Sequence, residues 1–170
     1  MSEEDEVEDQ KMEIRKSIVI DASPEVVFKA ITEPEELTQW FPDQAILESK
    51  VGGRMKFSFY KDSKNTHRDM DYFPEGTITE FIPSKKISYT WVHPNIPDFP
   101  RTVVTWELEK IENNRTKLKL VHIGFKAGKM LKEHDEGWTY FLDELAKYCK
   151  GSKFYRNAWS RKLSVREIMG

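Results

Sequence analysis

The stretch His134-Asp-Glu-Gly-Trp-Thr-Tyr-Phe-Leu-Asp-Glu-Leu-Ala-Lys-Tyr-Cys-Lys-Gly151 decides the fold. Trp138, Phe141, Leu142, Leu145 and Cys149 recur at offsets of 3, 4, 7 and 11 residues, which puts them in one stripe of an α-helix. Asp135 and Glu136 favour the positive end of such a helix, and Gly151 suits the left-handed residue that ends one. A helix with one apolar stripe needs a surface to bury it on. The chain upstream of it offers only strands and two short helices, so the surface must be a sheet.

Working back toward the N-terminus, Thr116–Phe125 (TKLKLVHIGF) alternates: Leu118, Leu120 and His122 face one side, Lys117, Lys119, Val121 and Ile123 the other. A histidine in phase with two leucines points to an interior that is wet, occupied or built to hydrogen-bond it. TVVTWELEK puts Val104, Trp106 and Leu108 in phase, with a turn at Asn113-Asn114. GTITEFIPSKKISYTWV gives two strands around Pro83-Ser84, with Ile87, Tyr89 and Trp91 in phase, and HPNIPDFPR reads as a stiff, extended loop. GGRMKFSFY puts Met55, Phe57 and Phe59 on one face, after a turn at Gly52-Gly53; Lys61 to Asp71 reads as a hairpin loop. KMEIRKSIVID is a first strand. Between these, Ser23 and Pro24 start one short helix, and Pro34 starts a second that runs to Trp40-Phe41. The fold class is α+β: a curved antiparallel sheet of about six to seven strands wrapped around a long C-terminal helix, with two short helices between strands 1 and 2.

The 170 residues suit one domain, 33% charged, with a net charge of −2 that gives no reason to expect nucleic acid or an anionic membrane as partner. No apolar run nears the ~20 residues of a membrane span. One cysteine, Cys149, suits a reducing compartment, so the expected location is cytoplasmic. Residues 1–11 open with six acids and no base in the first ten and are expected to be disordered. Residues 152–170 carry five bases against one acid, with Tyr155, Trp159 and Leu163 at four-residue spacing that fits an amphipathic helix. The domain proper is then 12–151.

The order of elements, together with ASPEVVFKAITEPEELTQWF, VGGRMKFSF, GTITEFIPSKKISYTW, TVVTWELEK, LVHIGF and GWTYFLDELAKY, resembles the START-like or helix-grip superfamily, also called the birch-pollen-allergen fold or SRPBCC. Within it the chain resembles the homologues of the activator of heat-shock protein 90 ATPase. The superfamily resemblance implies a cavity between sheet and helix that takes lipids, sterols, polyketides or other apolar molecules, and in some members catalyses cyclisation or hydrolysis. The family resemblance implies no catalytic residue set. It does not transfer co-chaperone activity, because the eukaryotic activators carry an additional N-terminal domain for which 170 residues leave no room; a chaperone partner stays as an alternative.

The residues expected to line that cavity are Trp40, Phe57, Phe59, Tyr89, Trp91, Trp106, Leu120, His122, Trp138 and Phe141. The competing expectation is a filled core, since aromatic stripes at structural spacing pack well by themselves. A cavity is favoured by Tyr89, His122 and the indole N–H groups, each of which needs a partner if buried. No cofactor is expected. His67, His93, His122 and His134 have no paired spacing, which argues against a metal site, and no G-x-S-x-G or phosphate-binding glycine loop occurs. Either His122 or Tyr89 would serve as acid or base if the cavity were an enzyme's. A burial-driven depression of the His122 pKa is expected.

Overall fold

The computed structural model describes residues 12–61 and 69–160. Strand β1 (Glu13–Ile20) is followed by helices α1 (Pro24–Thr32) and α2 (Pro34–Trp40). Six strands come next: β2 (Gln44–Leu47), β3 (Arg54–Ser58), β4 (Glu75–Ile82), β5 (Lys86–Trp91), β6 (Thr102–Ile111) and β7 (Arg115–Ile123). Helix α3 (Gly128–Ser160) closes the order. The strands form one curled antiparallel sheet in the order β1-β7-β6-β5-β4-β3-β2, so all but one neighbouring pair are joined directly along the chain. The exception is β1, which pairs with β7 in register Ile14↔His122 and Ile18↔Leu118.

Local chemistry sets the breaks. The Ser23 hydroxyl accepts from the Val26 N–H at 3.3 Å and Pro24 takes the first helical position of α1. Glu33 precedes Pro34 and is extended at φ −83°, ψ 124°, as the proline ring demands, so one helical run becomes two. The Trp40 indole N–H donates to the Ala30 carbonyl at 2.8 Å and ties the pair together. Ser84, Asn113 and Asn114 take positive φ at the two expected hairpins, and Gly52 does so before β3.

Three sequence expectations change. Helix α3 starts six residues before His134, because Met130 and His134 extend the stripe of Trp138 and Leu142 by four-residue steps. Gly151 does not cap it: the helix runs on to Ser160, across the expected domain boundary. Strand β2 was not expected; of its four residues only Leu47 is buried, too little for an alternation to register. Residues 1–11, 62–68 and 161–170, with the expected acidic tail, most of the hairpin loop and the end of the basic tail, lie outside the described residues.

The apolar stripe of α3 (Trp138, Leu142, Leu145 and Cys149) is buried in the single core, together with Ile14, Leu118 and Leu120 from the concave face. Among the described residues no helix is long and apolar enough to cross a membrane.

Candidate functional site

Alternation along β5, β6 and β7 turns Tyr89, Trp91, Trp106, Leu120 and His122 inward, all at or below 3% exposure. Phe57 and Phe59 reach the same space from β3 and just beyond it, Trp40 from α2, and Trp138 from α3; Phe141 is half-buried at the rim. The ten expected side chains therefore do come together. They meet as a packed bed. At its centre is Phe41, which the sequence did not single out: its ring lies 4.9 Å from Trp40, 5.3 Å from Phe57, 5.1 Å from Phe59, 5.3 Å from Trp138 and 4.8 Å from Phe141. The place expected for a ligand holds the chain's own rings, which gain dispersion contacts that an empty space would forfeit. Two surface depressions lie outside the bed, one at Met12, Ile123 and Phe125 and one between β1 and α3 at Ile18, Leu142 and Ala146.

The buried polar groups form two arrangements. In the first, the Thr102 hydroxyl is 2.7 Å from the Trp91 carbonyl and 2.7 Å from His122 Nε2. A carbonyl only accepts, so the one hydroxyl hydrogen goes to Trp91, and His122 Nε2 must carry the hydrogen donated to Thr102. Nδ1 is then bare and accepts the Trp138 indole N–H at 3.0 Å. Every polar atom of the His122 ring is used, in one tautomer. Protonating Nδ1 would set its N–H against that of Trp138. Burial holds the His122 pKa well below its ordinary value, with the two neighbouring histidines adding to the effect. Trp106 similarly donates to the Tyr89 hydroxyl at 2.9 Å, and burial pushes the Tyr89 phenol up.

The second arrangement was missed in the sequence. His93, just past β5, and His134, on α3, meet with their Nε2 atoms 3.0 Å apart, and the His122 ring lies 5.5 Å from that of His134. Both could have been found by extending a stripe one step: His93 continues Ile87, Tyr89 and Trp91 at period two, and His134 precedes Trp138 by four. His134 Nδ1 is 2.8 Å from the Met130 carbonyl, which makes it the donor nitrogen and leaves Nε2 bare. His93 Nε2 is approached both by that bare nitrogen and, at 3.2 Å, by the Trp91 indole N–H. It cannot donate to the first and accept from the second. His93 Nδ1, on a ring 4% exposed, has no hydrogen-bond partner among the described residues. Burial and the neighbouring His134 bring the His93 pKa down to about 3; burial also lowers His134.

Chemically, these rings can exchange hydrogen bonds and orient a polar group. Among the described residues no group of three or more side chains could hold a metal ion, and no carboxylate is hydrogen-bonded to any of the three histidines.

A curled antiparallel sheet gripping one long helix, with a helix pair between its first two strands, defines the helix-grip class of α+β proteins. The family of Activator of Hsp90 ATPase homolog 1-like proteins matches residues 21–150, and the chain belongs to that family. No curated protein sequence matches it. Among solved structures it is similar to protein MLL2253 of Mesorhizobium loti, at 23% identity and a TM-score of 0.69 over 81% of this chain and 96% of that one. It is also similar to an HSP90 activator of Plasmodium falciparum, at 26% identity and a TM-score of 0.64 over 79% and 93%. The Aha1 dimer of Colwellia psychrerythraea, at 22% identity and 0.63 over 79% and 92%, shares the fold.

Proposed function

We propose that the protein binds a small apolar or amphipathic molecule between the concave face of the sheet and helix α3. The observation that carries this reading is where the central ring is attached. Phe41 sits at the joint between α2 and β2, outside any helix or strand, with φ −123° and ψ −97°. Swinging this one residue out would free a ring-sized space among Phe57, Phe59 and Trp138 and leave both flanking elements intact. Half-buried Phe141 borders the same space at the rim, and the Tyr89 hydroxyl, which accepts from the Trp106 indole and keeps its own hydrogen to donate, would orient a guest. The protein then acts as a carrier or receptor for a compound with an aromatic or lipid-like body.

Native mass spectrometry of freshly purified protein, followed by a thermal-shift screen of lipids and flat aromatic compounds, tests this. A retained compound, or a probe that raises the melting temperature with mass-action dependence on its concentration, is the expected result. No retained mass and no shift across a few hundred apolar compounds would overturn it.

A second reading rests on the family and on the likeness to the Plasmodium activator: a co-chaperone-type module that stimulates a heat-shock protein 90 ATPase. Its test is direct. Adding the protein to purified heat-shock protein 90 should raise ATP turnover, and unchanged turnover would remove this reading.

A further inference from the structure

The interior is hydrogen-bonded to completion around His122 and is one group short around His93. The tautomer of His134 is fixed by its Nδ1–H, which the Met130 carbonyl accepts, so its Nε2 presents a lone pair. The contact of that lone pair with His93 Nε2, at 3.0 Å, is shorter than the 3.2 Å contact of the Trp91 indole, and it is a hydrogen bond when His93 Nε2 carries the hydrogen. Two consequences follow. His93 Nδ1 is a bare acceptor, buried and without a partner among the described residues. The Trp91 indole N–H, 3.2 Å from His93 Nε2, faces a nitrogen that is already donating. A buried acceptor and a buried donor thus sit on adjacent rings, and each unmet group costs free energy.

A hydroxyl donates to a bare acceptor without bringing a charge into the interior. An ammonium group would also donate, but it would need a counter-charge, and no carboxylate is hydrogen-bonded to these rings among the described residues. We infer that His93 Nδ1 is a polar subsite that accepts a hydrogen bond from the hydroxyl of a phenol or alcohol on an otherwise apolar guest. The inference rests on the small-molecule reading above and gives the guest its head group. Binding would complete a directional chain: guest O–H to His93 Nδ1, His93 Nε2–H to His134 Nε2, and His134 Nδ1–H to the Met130 carbonyl. Each bond polarises the next.

The wall that yields is Phe99. Its ring stacks edge-on to His93 at 4.7 Å and lies 5.6 Å from His134. It is only half-buried, and it rides on the connection between β5 and β6, where Pro94, Pro97 and Pro100 supply no N–H. The backbone bonds holding that connection are long, Ile96 N–H to the His93 carbonyl at 3.2 Å and Phe99 N–H to the Ile96 carbonyl at 3.3 Å. Yielding of Phe99 would let a hydroxyl reach His93 without disturbing a strand. Trp91, in ring contact with His93 on one side and with Phe57 and Trp138 on the other, joins this place to the one Phe41 would leave.

The experiment compares 2-naphthol with naphthalene on the full chain and on His93→Phe, by fluorescence titration, alongside 15N NMR of the imidazoles. Wild type should bind 2-naphthol at least about tenfold tighter than naphthalene, about 1.4 kcal/mol. His93→Phe should erase the preference, so that the two probes bind alike. The His93 Nδ1 resonance should be that of an unprotonated nitrogen and should shift with 2-naphthol alone. Equal affinity of wild type for the two probes, as a resident water on His93 would produce, overturns the subsite and leaves small-molecule binding standing. A preference that survives His93→Phe also overturns it, by placing the hydroxyl elsewhere. If neither probe binds, the subsite falls together with the reading it rests on. Should the variant fail to fold, a protonated Nδ1 in the wild-type spectrum is enough to overturn the assignment.

Discussion

His122 and His93 are both buried, both flank Trp91 and both face His134, yet their surroundings treat them oppositely. His122 lies within β7, where sheet register places it opposite Val104 and Ile14 and allows its ring one set of partners. His93 lies one residue past the isolated bridge that ends β5, where the register no longer fixes its neighbours, and one nitrogen is contested while the other is idle. The difference teaches that burial alone does not define a site. A histidine whose hydrogen bonds are complete holds a core together, and one whose hydrogen bonds are incomplete is where a core can accept something else.

Acid should break the comparison most severely, because it acts on both arrangements together. All three histidines have folded-state pKa values below the unfolded value of about 6.5. The unfolded chain therefore takes up protons first. The stability is present in full above about pH 6.5 and drains away as pH falls toward the folded values, about 3 for His93. Three groups at up to ~1.4 kcal/mol per pH unit set a ceiling of about 4 kcal/mol per unit on the slope. Urea denaturation at pH 7.5, 6 and 5 should show it. A stability unchanged between pH 7.5 and 5 would mean that the rings are already wet.

Trp138→Ala comes next. This indole packs against Phe41, Trp91 and Trp106 and supplies the donor to His122 Nδ1. Its loss should cost about 3–5 kcal/mol in a denaturant titration. A cost near 1 kcal/mol would show that the bed collapses around the gap, and that its packing is looser than the ring contacts indicate.

How much of this was legible beforehand follows from periodicity. The β5, β6 and β7 stripes and the α3 stripe each repeat an apolar residue at a fixed interval, and those intervals alone place Tyr89, Trp91, Trp106, Leu120, His122 and Trp138 on one interior. What failed was whatever broke a repeat. Strand β2 has one buried residue, and Phe41 lies in a joint with no period at all. His93 and His134 are polar ends of apolar stripes, so the pattern stopped one step short of them. Whether the bed is open or filled depends on rotamers such as that of Phe41, which no spacing encodes.

His122→Phe is the sharper test of the completed arrangement. The phenyl ring fills the space, but the Trp138 indole N–H loses its acceptor and Thr102 loses its donor. Stranding buried partners costs about 1–3 kcal/mol. The acid slope should also fall by about a third, since one of three titrating groups is gone. A variant as stable as wild type, with an unchanged acid slope, would show that His122 does not hold these partners.

The smallest effect should come from the incomplete arrangement. His134→Leu removes the lone pair that contests His93 Nε2 and leaves an apolar side chain on the half-buried stripe of α3. His93 can then switch tautomer: Nε2 becomes the bare acceptor of the Trp91 indole N–H, and the hydrogen moves to Nδ1. One buried group remains unpaired, where two were unpaired before. The gain offsets the lost Met130 contact, whose carbonyl is in a helix and keeps its backbone role. Stability should stay within about 1 kcal/mol of wild type, and leucine's higher helix propensity pushes in the favourable direction. The 15N spectrum should show the His93 hydrogen relocated from Nε2 to Nδ1. A loss of 2 kcal/mol or more, with the tautomer unmoved, would mean that the His93–His134 contact is as complete as that of His122, and the contrast between the two histidines would disappear.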